Sequence, residues 1–262
     1  MNDAKPYIEV QELHRYFGDV RAVSGVSFAV YPGQVFGFIG PNGAGKTTTM
    51  RILATLDLPT LGEGFIDGFS VVDDPEHARR RLGFMPDYLS VYHGMAVWEY
   101  LDFFARAYDL SPGDRRRRLA EVMAFTGLDA LAEKPVTGLS KGMKQRLSLG
   151  RILVHDPPAL ILDEPASGLD PRARVELRDM IRQLAHQGKA VLISSHILSE
   201  LAEICDVVGI IELGRMIAVG PVDQIQRQLA ENRNQELTEL RIEPVDRVEE
   251  LAAWLAGKPG VR

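Results

Sequence analysis

The stretch Val35–Thr47 constrains this chain more than any other. Val35–Ile39 is a short apolar run without alternation, the pattern of a strand buried on both faces. The next eight residues, Gly40, Pro41, Asn42, Gly43, Ala44, Gly45, Lys46 and Thr47, match G-x-x-x-x-G-K-[ST] in full. Glycines there let backbone N–H groups face a phosphate with no side chain between. Lys46 can reach the β- and γ-phosphates of a nucleotide, and the Thr47 hydroxyl is placed for Mg²⁺. A helix is expected over Lys46–Leu56, with Thr48 in its first turn and its N-terminus favouring bound phosphate. An ordinary glycine-rich turn would match this pattern by chance in on the order of one such chain in a hundred. It would need neither the strand before it nor the helix after it. The chain is therefore expected to bind the phosphates of a nucleotide together with Mg²⁺.

A second apolar run, Ala159–Leu162, ends in two carboxylates, Asp163 and Glu164. A strand ending in solvated acids is common, but beside a phosphate loop the pair has a use. Asp163 is the expected Mg²⁺ ligand, directly or through water, next to Thr47. Glu164, one residue further, is placed to polarise an attacking water.

The rest of the chain supplies a frame for these two segments. Ile8–Val10 and Val26–Val30 read as short alternating strands, and Pro32-Gly33 as a turn. Further apolar runs stand at Ala190–Ile193 and Val207–Ile211, with helical patterns between most of them. One helix opens at Asp170-Pro171 as cap and first position, carries Leu177, Ile181 and Leu184 on one stripe, and closes at Gly188. Strands alternating with helices predict a mostly parallel sheet. Residues 95–155 break that rhythm and read as helical. After Gly220, Glu231–Gln235 reads as a polar linker, Leu237–Ile242 as a strand and Val245–Leu255 as an amphipathic helix. One strand and one helix cannot bury a core alone.

Three more motifs follow in order. Leu139-Ser140-Lys141-Gly142-Met143-Lys144-Gln145-Arg146 is similar to the LSGGQ signature, Ser167-Gly168-Leu169-Asp170 to a D-loop, and Ser194-Ser195-His196 to a switch-histidine segment. With this ordered set the chain resembles the nucleotide-binding subunit of an ABC transporter over roughly residues 7–225. The resemblance implies an α/β fold: a P-loop NTPase core with a mostly parallel sheet, an N-terminal antiparallel β subdomain and an inserted helical subdomain. The ATPase domain would span 1–225, with the helical insert at about 88–155, and 226–262 would be a short β-α extension. It further implies two such subunits facing head to tail, as a homodimer, with ATP on one phosphate loop closed over by Ser140 and the Gly142 N–H of the other. Glu164 and His196 would be the catalytic pair. Phe17, just before Gly18, would stack on adenine, with Tyr16 as the alternative. The other five histidines, His14, His77, His93, His155 and His186, read as structural or solvated.

The chain departs from the family pattern in two places. Asp87, after the strand Leu82–Met85, takes a position usually held by glutamine. A carboxylate can approach Mg²⁺ there but cannot donate a hydrogen bond when ionised. In the signature, Lys141 replaces the first glycine and Met143 the glutamine, while Gly142 is kept. These substitutions, with Trp98-Glu99-Tyr100-Leu101, resemble the exporter branch that works with separately encoded permeases, whose typical cargoes are drugs, polysaccharides and lipids. Tyr88, Leu89, Val91 and Tyr92 are candidates for docking a permease helix. Val97, Leu101, Phe104 and Tyr108 form a helical stripe better read as core.

Composition bounds the partners. The formal charge of −6 argues against nucleic acid as the main partner, and the runs Arg79–Arg81 and Arg115–Arg118 read as solvated helix faces. The single cysteine, Cys205, rules out an internal disulfide. Met1–Pro6 has no apolar core and does not read as a signal peptide. No apolar run approaches the roughly 18 residues that would span a bilayer. Membrane association at the cytoplasmic face would therefore come through an integral membrane permease. The alternatives are a soluble ABC-type ATPase not coupled to transport, a P-loop GTPase or kinase, and a module that holds ATP without hydrolysing it. No heptad tract or second phosphate loop supports the first, no Asn-Lys-x-Asp motif the second, and Glu164 with His196 opposes the third.

Overall fold

The computed structural model describes residues 5–88 and 94–235. The first strands are longer than their alternating cores suggest. β1 (Ile8–Phe17) and β2 (Val20–Val30) form one antiparallel hairpin, with register shifts between Val10 and Leu13 and again near the tip. Those irregularities interrupt the period-2 pattern, so only the strand ends read clearly from sequence. Next come β3 (Val35–Ile39) and α1 (Lys46–Leu53). The helix ends three residues earlier than expected, because Thr55 adopts a left-handed conformation at φ 58°. β4 (Leu61–Ile66) and β5 (Phe69–Ser70) complete a four-stranded sheet in the order β2-β1-β4-β5. α2 (Pro75–Arg80) leads into β6 (Leu82–Met85).

The helical insert holds α3 (Val97–Ala107), α4 (Pro112–Thr126) and α5 (Lys141–Leu153). Ser111 caps α4 by accepting the Asp114 N–H, and Gly127 ends it in the left-handed region. Val97 and Leu101 are fully buried, and Phe104 and Tyr108 pack against the same core, as a core stripe should. The chain continues through β7 (Ala159–Leu162), α6 (Pro171–His186), β8 (Ala190–Ser195), α7 (Leu198–Ala202), β9 (Val207–Glu212), β10 (Arg215–Pro221) and α8 (Val222–Gln235). The larger sheet runs β10-β9-β3-β8-β7-β6, parallel throughout except for β10 against β9.

Alternation on the central strands divides the interior into two cores. Val35, Ile39, Leu160, Leu162, Val191 and Ile193 join the core shared with α3–α6. Phe36, Phe38, Ala159, Ile161, Ala190 and Leu192 join the core shared with α1 and the four-stranded sheet. Covered on both faces, β3, β7 and β8 are buried along their whole length, which explains their unbroken apolar runs. Strands β3 and β7 therefore end on either side of β8, and the loops at their carboxyl ends meet.

The chain forms two compact units, Met1–Ile225 and Gln226–Arg262. Glu231–Gln235, expected as a linker, is instead the last part of α8. The strand and helix expected at 237–255 lie outside the described residues, as do Leu89, Val91, Tyr92 and His93. Among the described residues, no helix is long and apolar enough to cross a membrane.

Candidate active site

The phosphate loop joins the end of β3 to the start of α1, and its glycines are dictated by close backbone approach. A Cβ at Gly40 would stand 2.2 Å from the Ile211 carbonyl oxygen. Gly45, the residue before α1, has φ 107°, and a Cβ there would stand 2.5 Å from the Ala22 carbonyl oxygen. Neither backbone oxygen can move aside cheaply, so both positions exclude any side chain. The loop is thus wedged against the β1–β2 hairpin on one side and β9 on the other. The first N–H groups of α1 have no intrahelical acceptor and face the loop.

Lys46 is nearly buried, at 5% exposure. Its Nζ donates to the Gly40 carbonyl at 2.6 Å and the Pro41 carbonyl at 3.2 Å, and lies 3.6 Å from Glu164 Oε1. The ammonium therefore bridges the phosphate loop and the end of β7. Asn42, Gly43, Gly45, Lys46, Thr47, Thr48, Asp87 and Glu164 line one cleft of about 210 Å³. Asp87 reaches it from the end of β6, the outer parallel neighbour of β7.

Asp163 is 2% exposed. Burial raises its pKa above the usual carboxylate value, hydrogen bonds from the Ser194 and Thr47 hydroxyls oppose the shift, and the charges of Asp87 and Glu164 add to it. A buried carboxylate held between two hydroxyls, with two more carboxylates close by, is an oxygen-only environment in search of positive charge. These donors fit Mg²⁺, which is held by one or two carboxylates together with substrate phosphates and water. Among the described residues no cluster of three His, Cys, Asp or Glu side chains forms an all-protein metal cage.

Glu164 adopts φ 46°, a left-handed conformation that is costly for a residue with a Cβ. Its N–H donates to Ser194 Oγ at 2.8 Å, and its Oε2 lies 3.1 Å from His196 Nδ1. Glu164 Oε1 is buried without a hydrogen-bond partner, facing the Lys46 ammonium. The strained backbone thus aims the carboxylate back across the cleft toward the loop. Ser194 carried no assigned role in the sequence, although it stands in the Ser194-Ser195-His196 segment. Only the fold puts β8 beside β7 and turns this hydroxyl toward both acids.

Other expected residues lie apart from this cluster. Ser140 caps α5, accepting the Met143 N–H at 3.3 Å, and Gly142 packs beside Ala173 at the start of α6. Neither lines the phosphate-loop cleft. Phe17 is half exposed at the tip of the β1–β2 hairpin, with the Arg15 guanidinium 4.2 Å above its ring. The same hairpin carries Ala22, which abuts Gly45. Tyr16 instead bonds His14 Nδ1 through its hydroxyl at 2.8 Å. Of the arginine runs, Arg80 pairs with Asp109 in solvent, whereas Arg115 and Arg118 are partly buried: Arg115 pairs with Asp102, and Arg118 donates to the Leu153 carbonyl.

A phosphate loop between a buried parallel strand and a helix, facing two acids at the end of a second strand, defines a P-loop nucleoside triphosphatase. The model of the ABC transporter family matches residues 23–167, and the chain belongs to that family. It is an ABC transporter ATP-binding subunit and an ATPase. It is 38% identical over 215 residues to the Nod factor export ATP-binding protein I of Ralstonia nicotianae, covering 82% of this chain and 67% of that one. It is 34% identical over 213 residues to the linearmycin resistance ATP-binding protein LnrL of Bacillus subtilis, covering 81% and 68%. A solved ATP-binding subunit of an ABC transporter superposes with a TM-score of 0.78 at 31% identity, covering 95% of this chain and 99% of that one.

Proposed function

We propose that the chain hydrolyses ATP as one half of a head-to-tail homodimer and so drives export of a drug, polysaccharide or lipid-like cargo through a separate integral membrane permease. In this reading Gly40–Thr48 hold the phosphates, and Thr47, Asp163 and Asp87 hold Mg²⁺. When bound, the cation neutralises charge on the β- and γ-phosphate oxygens. Glu164 polarises the attacking water, and His196 holds Glu164 in place and contacts the γ-phosphate. Phe17 stacks on adenine. Ser140 and the Gly142 N–H reach the nucleotide of the opposite subunit. Export is favoured by the likeness to exporter ATP-binding proteins. In this reading the permease holds the protein at the cytoplasmic face of the membrane.

The observation that carries this reading is the separation of the two half-sites. The phosphate loop, Asp163, Glu164 and His196 converge, while Ser140 and Gly142 stand outside their cleft. Their place outside the cleft favours contact with the nucleotide of another subunit. For the permease, the groove that Arg51, Leu56, Arg79, Tyr88, Phe104 and Arg151 help to line offers a cationic and apolar seat for an amphipathic helix.

Light scattering on Glu164→Gln with and without Mg·ATP tests the dimer. An ATP-dependent doubling of mass that Ser140→Arg abolishes is the expected result. A species that stays monomeric at saturating ATP would overturn the head-to-tail reading.

A further inference from the structure

Ser194 is 1% exposed and stands one residue from the end of β8. Its Oγ is 2.6 Å from Asp163 Oδ1 and 2.8 Å from the Glu164 nitrogen. The directions of these two bonds follow from the chemistry of the groups. A serine hydroxyl has one proton and two lone pairs, and an amide N–H only donates. The hydroxyl therefore accepts from Glu164, and its single proton goes to Asp163. One small side chain on β8 thus grips two consecutive residues on the neighbouring strand end: the carboxylate of the first and the backbone of the second.

Each grip opposes a specific alternative. Asp163 is buried, and its other hydroxyl partner, Thr47, comes from α1. Ser194 therefore sets the orientation of the group from the β8 side. Glu164 sits at φ 46°, which surrounding contacts must over-determine if it is to persist. The hydrogen bond from its N–H to Ser194 Oγ secures its backbone, as His196 Nδ1 secures its side chain. An apolar residue of similar size would fill the same space among Leu192 and its neighbours. It would also leave a buried N–H and a buried carboxylate oxygen without this partner.

We propose that Ser194 is a positioning residue for ATP hydrolysis, coupling the orientation of Asp163 to that of Glu164 so that the cation ligand and the water-polarising carboxylate are set as one unit. The inference rests on the roles given above to Asp163 and Glu164. It predicts that a hydroxyl at 194, rather than volume, is what the site needs.

The test compares Ser194→Ala and Ser194→Thr in the full chain, with Glu164→Gln alongside. For Ser194→Ala, kcat should fall by about tenfold or more, as loss of a hydrogen bond to a charged group implies, with KM for ATP within about threefold. Half-saturation by Mg²⁺ should rise, ATP affinity without Mg²⁺ should hold, and hydrogen exchange at the Glu164 amide should accelerate in the nucleotide-free protein. Ser194→Thr should restore most of kcat and the slow exchange. Ser194→Ala with kcat within about twofold of the parent would overturn the proposal, because a lost charged-group hydrogen bond cannot be that mild if it sets the geometry. So would a loss of kcat with no change in exchange at Glu164, or a threonine variant that melts like the parent yet is as impaired as alanine. If Glu164→Gln is inactive and Ser194→Ala fully active, only the role of Ser194 falls. If Glu164→Gln turns over normally, the functional reading falls first.

Discussion

His155, on the turn after α5, should make the stability of this protein depend on pH in a defined window. Its ring stacks on Tyr108 with centroids 3.6 Å apart and planes 6° from parallel, and its Nε2 lies 3.1 Å from the Leu82 carbonyl oxygen. That contact requires the proton on Nε2, so Nδ1 is a bare acceptor, buried with no partner. Adding a proton would place an N–H where nothing accepts it. Burial accordingly pushes the imidazole down from 6.5 to about 4; the Leu82 carbonyl and Asp156 oppose the shift, and Lys189 and Arg118 reinforce it. The folded value lies below the unfolded one, so between those pH values the unfolded chain binds a proton that the folded chain refuses. The contribution of His155 is therefore flat above about pH 6.5, falls as pH drops toward 4, and levels off below that. At about 1.4 kcal/mol per factor of ten, the loss between pH 7 and pH 5 is about 2 kcal/mol. His155→Phe keeps a ring against Tyr108 and cannot protonate. Urea unfolding followed by circular dichroism, run on both proteins at pH 7 and pH 5, measures the difference. The parent should lose about 2 kcal/mol more than His155→Phe over this interval. Equal losses in the two proteins would refute the assignment of a buried, neutral His155.

Two other substitutions probe the loop and the docking groove. Gly45→Ala forces a Cβ into a left-handed backbone and to within 2.5 Å of the Ala22 carbonyl oxygen; ATP affinity should fall by at least about tenfold and stability by about 2 kcal/mol or more, read by nucleotide titration and thermal melting. Tyr88→Glu, at a residue 67% exposed on the groove, should leave basal ATP turnover within about twofold of the parent, as surface changes usually do, while transport by the assembled complex drops. Full transport by that variant would remove Tyr88 from the docking surface.

Much of this architecture is legible in the sequence because its signals are local. The strand–loop–helix around Lys46 follows from an apolar run, a glycine pattern and a helix start within some twenty residues. The central strands β3, β7 and β8 announce themselves by burial on both faces. Legibility fails where the structure depends on distant partners. The bulges of the β1–β2 hairpin hide its full length. The short β5 pairs only two residues and has almost no periodicity to read. The polar composition of Glu231–Gln235 suggested a linker, yet those residues continue a helix begun at Val222. Within the site, the types of Asp163, Glu164 and His196 and their order marked them out. The contacts of Ser194 did not show, since a serine in an apolar strand gives no sign of which face it lies on or what it meets there. The left-handed turn at Glu164 is likewise invisible, because nothing in Asp163-Glu164-Pro165 demands φ above zero. That turn is held by Ser194 and His196 at the end of β8 and by Lys46 at the start of α1.

Glu164 offers the most direct test of the proposed ATP hydrolysis. Steady-state ATP hydrolysis by Glu164→Gln, measured beside nucleotide binding by the same preparation, isolates the carboxylate from the phosphate loop. Turnover should fall by at least about a hundredfold, since general-base assistance contributes about 10²–10⁴-fold, while ATP affinity stays within about threefold. Turnover at the parent rate with intact binding would contradict the central claim that this carboxylate, held over the loop by Ser194 and His196, drives the hydrolysis.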